Sequence, residues 1–125
     1  MDMLQQVGLV ALGGAVGAAL RYLIGEWLNH DGFPYATLSV NLIGSLLLGV
    51  LTIGVAQHII APNMALVFAT GVIGAFTTMS TFSVETISLF DQGESTLAFS
   101  YVGLTMVLCP LLALLGWKIG ENLWV

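Results

Sequence analysis

The near absence of charge from four long apolar segments is the feature that most restricts the fold of this chain. Of its 125 residues, 58% are hydrophobic and only 7% are charged. A soluble domain carries about 25% charged residues, so this chain cannot cover itself with a water-compatible surface. A helix of ~20 apolar residues crosses a bilayer. The segments at about 4–28, 35–56, 64–89 and 96–119 therefore predict an all-α integral membrane protein, a single four-helix transmembrane domain over residues 1–125.

Charge and cysteine content exclude several classes of function. The net charge of −5 argues against a nucleic-acid partner, which would need a basic patch. Cys109 is the single cysteine, so the chain has neither an internal disulfide nor a cysteine metal cluster. Four spans with short loops leave no room for a large soluble catalytic site, and we therefore expect no enzyme. The first segment lacks the basic n-region of a cleavable signal peptide.

The third segment contains a polar run that a lipid-facing helix would not have. Between Gly71 and Glu85 it carries a second glycine, Gly74, and a cluster of hydroxyls from Thr77 onward. Polar or irregular backbone survives at membrane depth only when it is buried in protein or lines a cavity. We predict a helix break near Gly74–Thr78, near mid-membrane, whose freed carbonyls could bind a cation. We interpret the run as an ion-conducting site; ordinary core packing is the alternative for the face shared by Met79 and Phe82.

Two further polar side chains lie within apolar segments. Asn41 is about seven residues inside the second segment, or ~10 Å along a helix axis. It could join helices by a hydrogen bond or face a pore, and periodicity alone does not separate these alternatives. Arg21, towards the end of the first segment, could reach the interface, pair with an acid, or attract an anion at a vestibule. Before it, the Gly13-x-x-x-Gly17 spacing predicts a close helix–helix approach.

The basic residues give no preferred orientation in the membrane. Arg21 and Lys118 are the only Lys or Arg residues, and four spans place them towards opposite sides. The positive-inside rule is therefore balanced. Copies inserted in both orientations could pair about a two-fold axis in the membrane plane. We predict an antiparallel, dual-topology homodimer, which also compensates for the small space that four helices enclose.

Three motifs, in order, resemble those of the Fluc (CrcB) family of fluoride channels. They are Gly13–Tyr22 (GGAVGAALRY), Thr37–Gly44 (TLSVNLIG) and Gly71–Thr86 (GVIGAFTTMSTFSVET). The resemblance covers all four segments, and the third motif is the most specific.

This resemblance implies a channel of the bacterial inner membrane that moves fluoride passively out of the cell. It implies two antiparallel pores per dimer and a central structural sodium ion held by the backbone carbonyls of Gly74 and Thr77. Charges near the pore ends would be Arg21 and Glu85. The residues implied for the fluoride pore are Asn41, Met79, Ser80, Thr81, Phe82 and Tyr101.

One position departs from the family pattern. The family has Phe-Ser-Thr-Phe where this sequence has Met79–Phe82 (MSTF). Methionine fills similar space but offers no aromatic edge to an anion. The departure predicts an intact dimer and sodium site with an altered first aromatic station and reduced conduction.

Two other classes of function are alternatives. A proton-coupled dual-topology exporter needs a membrane-embedded carboxylate, for which Glu85 is the candidate. A non-conducting assembly or lysis protein needs small-residue helix faces but no Asn41 or hydroxyl cluster.

Overall fold

The computed structural model describes residues 1–28 and 32–125. The composition of residues 29–34 (NHDGFP) predicts a turn, part of which lies outside this range. Two long helices come first: α1 (Met3–Trp27) and α2 (Tyr35–Ala56). The third span begins with α3 (Pro62–Ala65), continues as a π-helix (Leu66–Ile73) and ends its first half with α4 (Gly74–Phe76). Its second half is α5 (Met79–Asp91), and α6 (Ser95–Leu123) completes the chain.

These elements form four helical spans in the described part of the chain. Each span is long and apolar enough to cross a bilayer, with 25, 22, 30 and 29 residues and a mean hydropathy between 1.6 and 2.1. The prediction of an all-α chain with four such spans is confirmed. The second span has the predicted bounds and the first is shifted by one residue, whereas the third and fourth extend one to four residues beyond their predicted ends because their terminal turns continue past the apolar stretch.

Local sequence determines where α1 begins. The Asp2 carboxylate accepts a hydrogen bond from the Gln5 backbone N–H at 2.8 Å, and the Gln5 side chain accepts one from the Asp2 N–H at 3.1 Å. This reciprocal pair satisfies two amide donors that a helix N-terminus otherwise leaves free.

Close packing of α1 on the π-helix depends on two glycines. A Cβ at Gly13 would overlap the carbonyl of Val67, and one at Gly17 would overlap the carbonyl of Val72. The Gly13-x-x-x-Gly17 spacing thus allows the predicted close approach, here within one protomer. It positions the first half of the third span against α1.

Gly17→Ala is expected to lower the stability of the folded protein by about 1–3 kcal/mol, because the added methyl group must displace backbone. Thermal unfolding in detergent measures the change. Gly8→Ala is the matched control on the same helix, since a Cβ there meets nothing within 4 Å and alanine favours a helix by about 1 kcal/mol. Equal melting temperatures for the two variants would contradict the packing argument.

A small hydrophobic core joins α5 to α6. Its buried members are Phe82, Leu89, Ala98 and Tyr101. Tyr101 is completely buried, with 0% of its surface exposed. This core anchors the second half of the third span independently of the first half, which packs on α1.

Candidate functional site at the third span

The third span is interrupted at two residues. Thr77 (φ −89°, ψ 158°) and Thr78 (φ −155°, ψ 120°) have extended backbone between α4 and α5. Gly74 is helical, with φ −58° and ψ −38°, so the non-helical backbone is narrower than the predicted Gly74–Thr78. Two adjacent β-branched threonines favour extended backbone and can hydrogen-bond locally in place of the helix.

Asn41 holds the interruption from the neighbouring helix α2. Its Nδ2 donates to the Thr78 carbonyl at 3.1 Å, and its Oδ1 accepts from the Thr78 N–H at 2.8 Å. One side chain thereby pairs both backbone groups of an extended residue. The Asn41 residue is only 9% exposed, and unpaired groups there would cost about 1–3 kcal/mol each. Asn41 therefore forms hydrogen bonds from α2 to the third span. These two bonds use one hydrogen of its amide nitrogen and leave the second hydrogen for another acceptor.

The interruption deprives the last carbonyls before α5 of their helical donors, among them those of Gly74 and Thr77. In a continuous helix the Thr78 N–H would donate to Gly74, but it donates to Asn41 instead. The Thr81 N–H would donate to Thr77, but it donates to the Thr78 hydroxyl at 3.2 Å. Gly74 and Thr77 are the residues for which the sequence predicted carbonyl ligands to sodium.

Arg21 reaches one carbonyl in the last turn of the first half. Its Nε donates to the Ala75 carbonyl at 3.1 Å, which compensates for the helical donor lost at the helix end. The side chain lines a cavity of about 260 Å³ that also contains Glu26 and Glu85. Among the described residues, the only ion pair joins Lys118 and Glu121, so Arg21 contacts backbone there instead of pairing with an acid.

Phe82, Tyr101 and Glu85 form a second polar–aromatic group. The Phe82 and Tyr101 rings lie 4.9 Å apart between centroids at 64°. The Tyr101 hydroxyl donates to Glu85 Oε1 at 3.0 Å. Phe82 is 6% exposed, so its ring edge is accessible only from within the protein.

Met79 is placed very differently from Phe82. It is 62% exposed, although the two residues are three apart on one helix. Met79 lines another cavity, of about 400 Å³, together with Asn41, Thr77 and Thr78. The predicted pore residues are thus divided between a buried group and an exposed cavity wall.

Hydroxyls connect the start of α5. The Thr78 hydroxyl lies 3.2 Å from the hydroxyls of Ser80 and Thr81. The predicted residues Ser80 and Thr81 are therefore within one hydrogen-bonded cluster at the N-terminus of α5.

Thr105 belongs to this region and was not predicted as a site residue. It is 4% exposed, and its hydroxyl has no hydrogen-bond partner. It lines the 400 Å³ cavity on the α6 side. Its spacing of four residues from Tyr101 is the sequence signal that could have indicated it.

The described residues contain no group of three or more His, Cys, Asp or Glu side chains that could hold a metal ion.

Four lipid-compatible spans, the third of which is interrupted beside buried polar groups, define a small multi-pass membrane protein of the channel and transporter type. The family model described as "CrcB-like protein, Camphor Resistance (CrcB)" matches residues 8–117. The chain belongs to this CrcB family, a bacterial family of multi-pass membrane proteins.

Curated relatives agree with this assignment. A protein from Agrobacterium fabrum named "Fluoride-specific ion channel FluC" is 41% identical over 122 residues, covering 94% of this chain and 98% of the relative. Proteins with the same name from Magnetococcus marinus and Thermus thermophilus are each 42% identical, covering 93% and 92% of this chain and 98% and 93% of their own lengths. These relatives are named as ion channels and not as enzymes.

Proposed function

We propose that this protein is a fluoride-selective channel that lets fluoride leave the bacterial cell passively across the inner membrane. The observation that carries the proposal is the interrupted third span, held by Asn41 and Arg21, in a chain whose relatives are named fluoride-specific channels. The proposed pore residues are Asn41, Met79, Ser80, Thr81, Phe82 and Tyr101, with Arg21 and Glu85 as charges near its ends.

Fluoride is small and strongly hydrated, so a pore must replace its water with hydrogen-bond donors. The second amide hydrogen of Asn41 and the hydroxyls of Ser80 and Thr81 can supply them. The edge of the Phe82 ring carries partial positive charge, so it can attract the fluoride ion although the ring is otherwise apolar. Several weak stations in series allow the ion both to enter and to leave.

The proposed assembly is an antiparallel homodimer with two pores. The balance between Arg21 and Lys118 supports insertion in both orientations. Gly74 is exposed on the protomer surface, and it lines the 400 Å³ cavity with Thr77. An interface there would bring the freed carbonyls of two copies together near mid-membrane.

A central sodium ion fits these residues. Backbone carbonyls without helical donors are suitable ligands for a hard monovalent cation, and Gly74 and Thr77 from each copy would supply four oxygens. The ion would neutralise the carbonyl dipoles and hold the two protomers together. It has no part in moving the anion.

Exchanging sodium for N-methyl-D-glucamine during purification is expected to destabilise the dimer. Removing a ligand that is present at a hundred times its Kd lowers the free energy of unfolding by about 2.7 kcal/mol. Thermal unfolding and size-exclusion chromatography with and without sodium measure this effect. If large organic cations support the same melting temperature and dimer content as sodium, the sodium proposal is wrong.

Fluoride efflux from liposomes containing the purified protein tests the function directly. A fluoride-selective electrode should record rapid efflux, and a chloride electrode should record almost none. Phe82→Ala is the inactive comparison. Equal flux of the two anions would overturn the proposal of a selective channel.

Met79→Phe restores the family pattern at the exposed cavity wall. We expect it to increase fluoride flux several-fold, because an aromatic edge would stabilise the ion in the pore by about 1 kcal/mol. Met79→Leu is the size-matched control and should conduct like the unmodified protein. Unchanged flux in Met79→Phe would show that position 79 is not a fluoride station.

Proton-coupled export is the second candidate, and the contact between Glu85 and Tyr101 is the observation that favours it. A proton gradient should then drive fluoride uptake against its own gradient, whereas a channel shows only passive flux.

A non-conducting assembly protein would keep its function in Asn41→Ala and Phe82→Ala.

A further inference from the structure

The first half of the third span is not a regular α-helix. The segment Leu66–Ile73 is a π-helix, and the Gly74 N–H at its end donates to the Ala69 carbonyl five residues earlier. The α-helical pattern returns directly afterwards, since the Thr77 N–H donates to the Ile73 carbonyl four residues earlier. A π-helix holds about one residue more per turn than an α-helix, is rare, and is frequently found at functional sites. The proposed function gives it no role.

The packing against α1 reflects this additional residue. Gly13 lies against the Val67 carbonyl, and Gly17 lies against the Val72 carbonyl. These two contacts are four residues apart on α1 but five residues apart on the third span. The π-helix therefore decides which residues of the third span meet α1 and, beyond them, which carbonyl reaches Arg21.

A change from π-helix to α-helix would release the additional residue and move the rest of the first half forward by one position. Such a step is about 1.5 Å along the helix axis with a rotation of about 100°. Gly74 would then replace Ala75 at the Arg21 guanidinium, and the contact of Asn41 would also pass to the preceding residue. The two contacts that hold the interruption would be made by the wrong residues.

One position against α1 accepts the observed register alone. A Cβ at Gly71 would lie 2.8 Å from the Val10 carbonyl oxygen and 2.9 Å from the Gly13 Cα, whereas packed atoms prefer about 3.5–4.0 Å. The preceding residue is Thr70, which is β-branched and exposed in the observed register. In the shifted register Thr70 would occupy this position, where its Cβ has no space.

We propose that the π-helix is a register lock, in which the pair Thr70 and Gly71 determines how the one additional residue of the third span is placed. Gly71 fits the observed register, and Thr70 excludes the shifted one. Both are positioning residues, because they act on the interruption only through the register of the helix. Helix α5 is anchored separately on α6 by Phe82 and Leu89, so the first half alone would shift.

Disulfide crosslinking to α1 distinguishes the two registers. A Cβ at Gly14 would lie 4.0 Å from the Ala75 Cβ, within the range of a disulfide, whereas a Cβ at Gly74 would have no atom of α1 within 4 Å. In the full chain carrying Cys109→Ser, Gly14→Cys with Ala75→Cys should therefore crosslink under mild oxidation. Gly14→Cys with Gly74→Cys should not, because only the shifted register brings these two positions together.

Thr70→Gly is the decisive variant, because it removes the side chain that excludes the shifted register. Added to Gly14→Cys with Gly74→Cys, it should raise the crosslinking rate about 5- to 150-fold, the effect expected from relieving an overpacked contact. Phe68→Gly is the matched control, because it places the same weak helix former in the π-helix at a position that is 50% exposed.

Loss of free thiols without a dimer band on a non-reducing gel measures crosslinking within one chain. Equal rates in Thr70→Gly and Phe68→Gly would overturn the proposal. So would crosslinking of Gly14→Cys with Gly74→Cys as fast as that of Gly14→Cys with Ala75→Cys when Thr70 is present.

Deleting Thr70 removes the additional residue itself. Val67 and Val72 are then four residues apart, like Gly13 and Gly17, so a regular α-helix preserves both contacts with α1. The variant should fold, keep the crosslink of the observed register and lack that of the shifted one.

Val84 provides the control deletion in the same span. It is 70% exposed and lies in the α-helix α5. Its removal would turn Leu89 by about 100° relative to Phe82 and break the core with α6. Thermal unfolding in detergent compares the two deletions, and equal melting temperatures would contradict the register lock.

Fluoride efflux separates this inference from the proposed function, on which its consequence for conduction rests. Thr70→Gly should lower efflux, whereas the deletion of Thr70 should preserve it, a contrast that a loss of stability alone does not produce. Register-specific crosslinks in a protein that passes no fluoride would support the lock and overturn the channel. Fluoride efflux with equal crosslinking in Thr70→Gly and Phe68→Gly would do the reverse.

Discussion

Replacing Asn41 with aspartate is expected to lower fluoride efflux by at least about a hundredfold. The variant keeps the size of the side chain and an acceptor for the Thr78 N–H. It also places a carboxylate oxygen against the Thr78 carbonyl, where the Nδ2 donor lies 3.1 Å away in the native protein, and presents negative charge to an approaching anion. Like-charge juxtaposition costs several kcal/mol, and each 1.4 kcal/mol is about tenfold.

Two comparisons make this result interpretable. Asn41→Ala should also stop efflux, because it leaves both backbone groups of Thr78 without their partner. Thr52→Val is the control on the same helix, because the Thr52 hydroxyl donates only to the Leu48 carbonyl at an exposed position. Fluoride efflux through this variant should change by less than about twofold. Asn41→Asp with normal efflux would mean that the bond to Thr78 is not required for conduction.

Replacing Arg21 with glutamine is expected to lower fluoride efflux by roughly tenfold or more. Charges that line a cleft raise the local concentration of an oppositely charged ion and its entry rate by about 10- to 1000-fold. Arg21 also satisfies the Ala75 carbonyl at the end of the first half of the third span. The loss of flux at low ionic strength should exceed the loss at high ionic strength, because salt screens the attraction.

Arg21→Lys separates charge from geometry. Lysine keeps the charge but cannot reproduce the planar guanidinium contact, so we expect partial recovery of flux together with lower thermal stability. Lys118→Gln is the matched control, since Lys118 is 63% exposed and paired with Glu121. Equal loss of flux in Arg21→Gln and Lys118→Gln would show that only net charge matters.

Both variants act on contacts between residues far apart in the chain. Asn41 and Thr78 are 37 residues apart, and Arg21 and Ala75 are 54 apart. The sequence indicated that Asn41 must form a hydrogen bond, but it left open whether the side chain joins two helices or faces a pore. It gave Arg21 three possible roles, none of which was a backbone carbonyl. The choice of partner depends on which helices pack together, and periodicity within one helix does not contain that information.

Met79 and Phe82 also show that spacing within one helix does not predict contacts with another helix. Helical spacing places Met79 and Phe82 on one face, yet Phe82 is buried on Tyr101 and Met79 is exposed. Burial depends on where α6 crosses α5, and that crossing brings Tyr101 over Phe82 only. The pore roles and the sodium ion are predictions that the experiments above address, and the antiparallel dimer stays a prediction.

Composition and the lengths of the apolar segments determined that this chain is a four-span helical membrane protein, because so few charges cannot cover a water-exposed surface and segments of this length suit a bilayer. Its motifs indicated the family that the comparisons show. The tertiary structure decided how the third span is interrupted, with Asn41 bound to the Thr78 backbone and Arg21 to the Ala75 carbonyl. In a low-dielectric interior every freed backbone group needs a partner, and only the packing of distant segments brings those partners within reach.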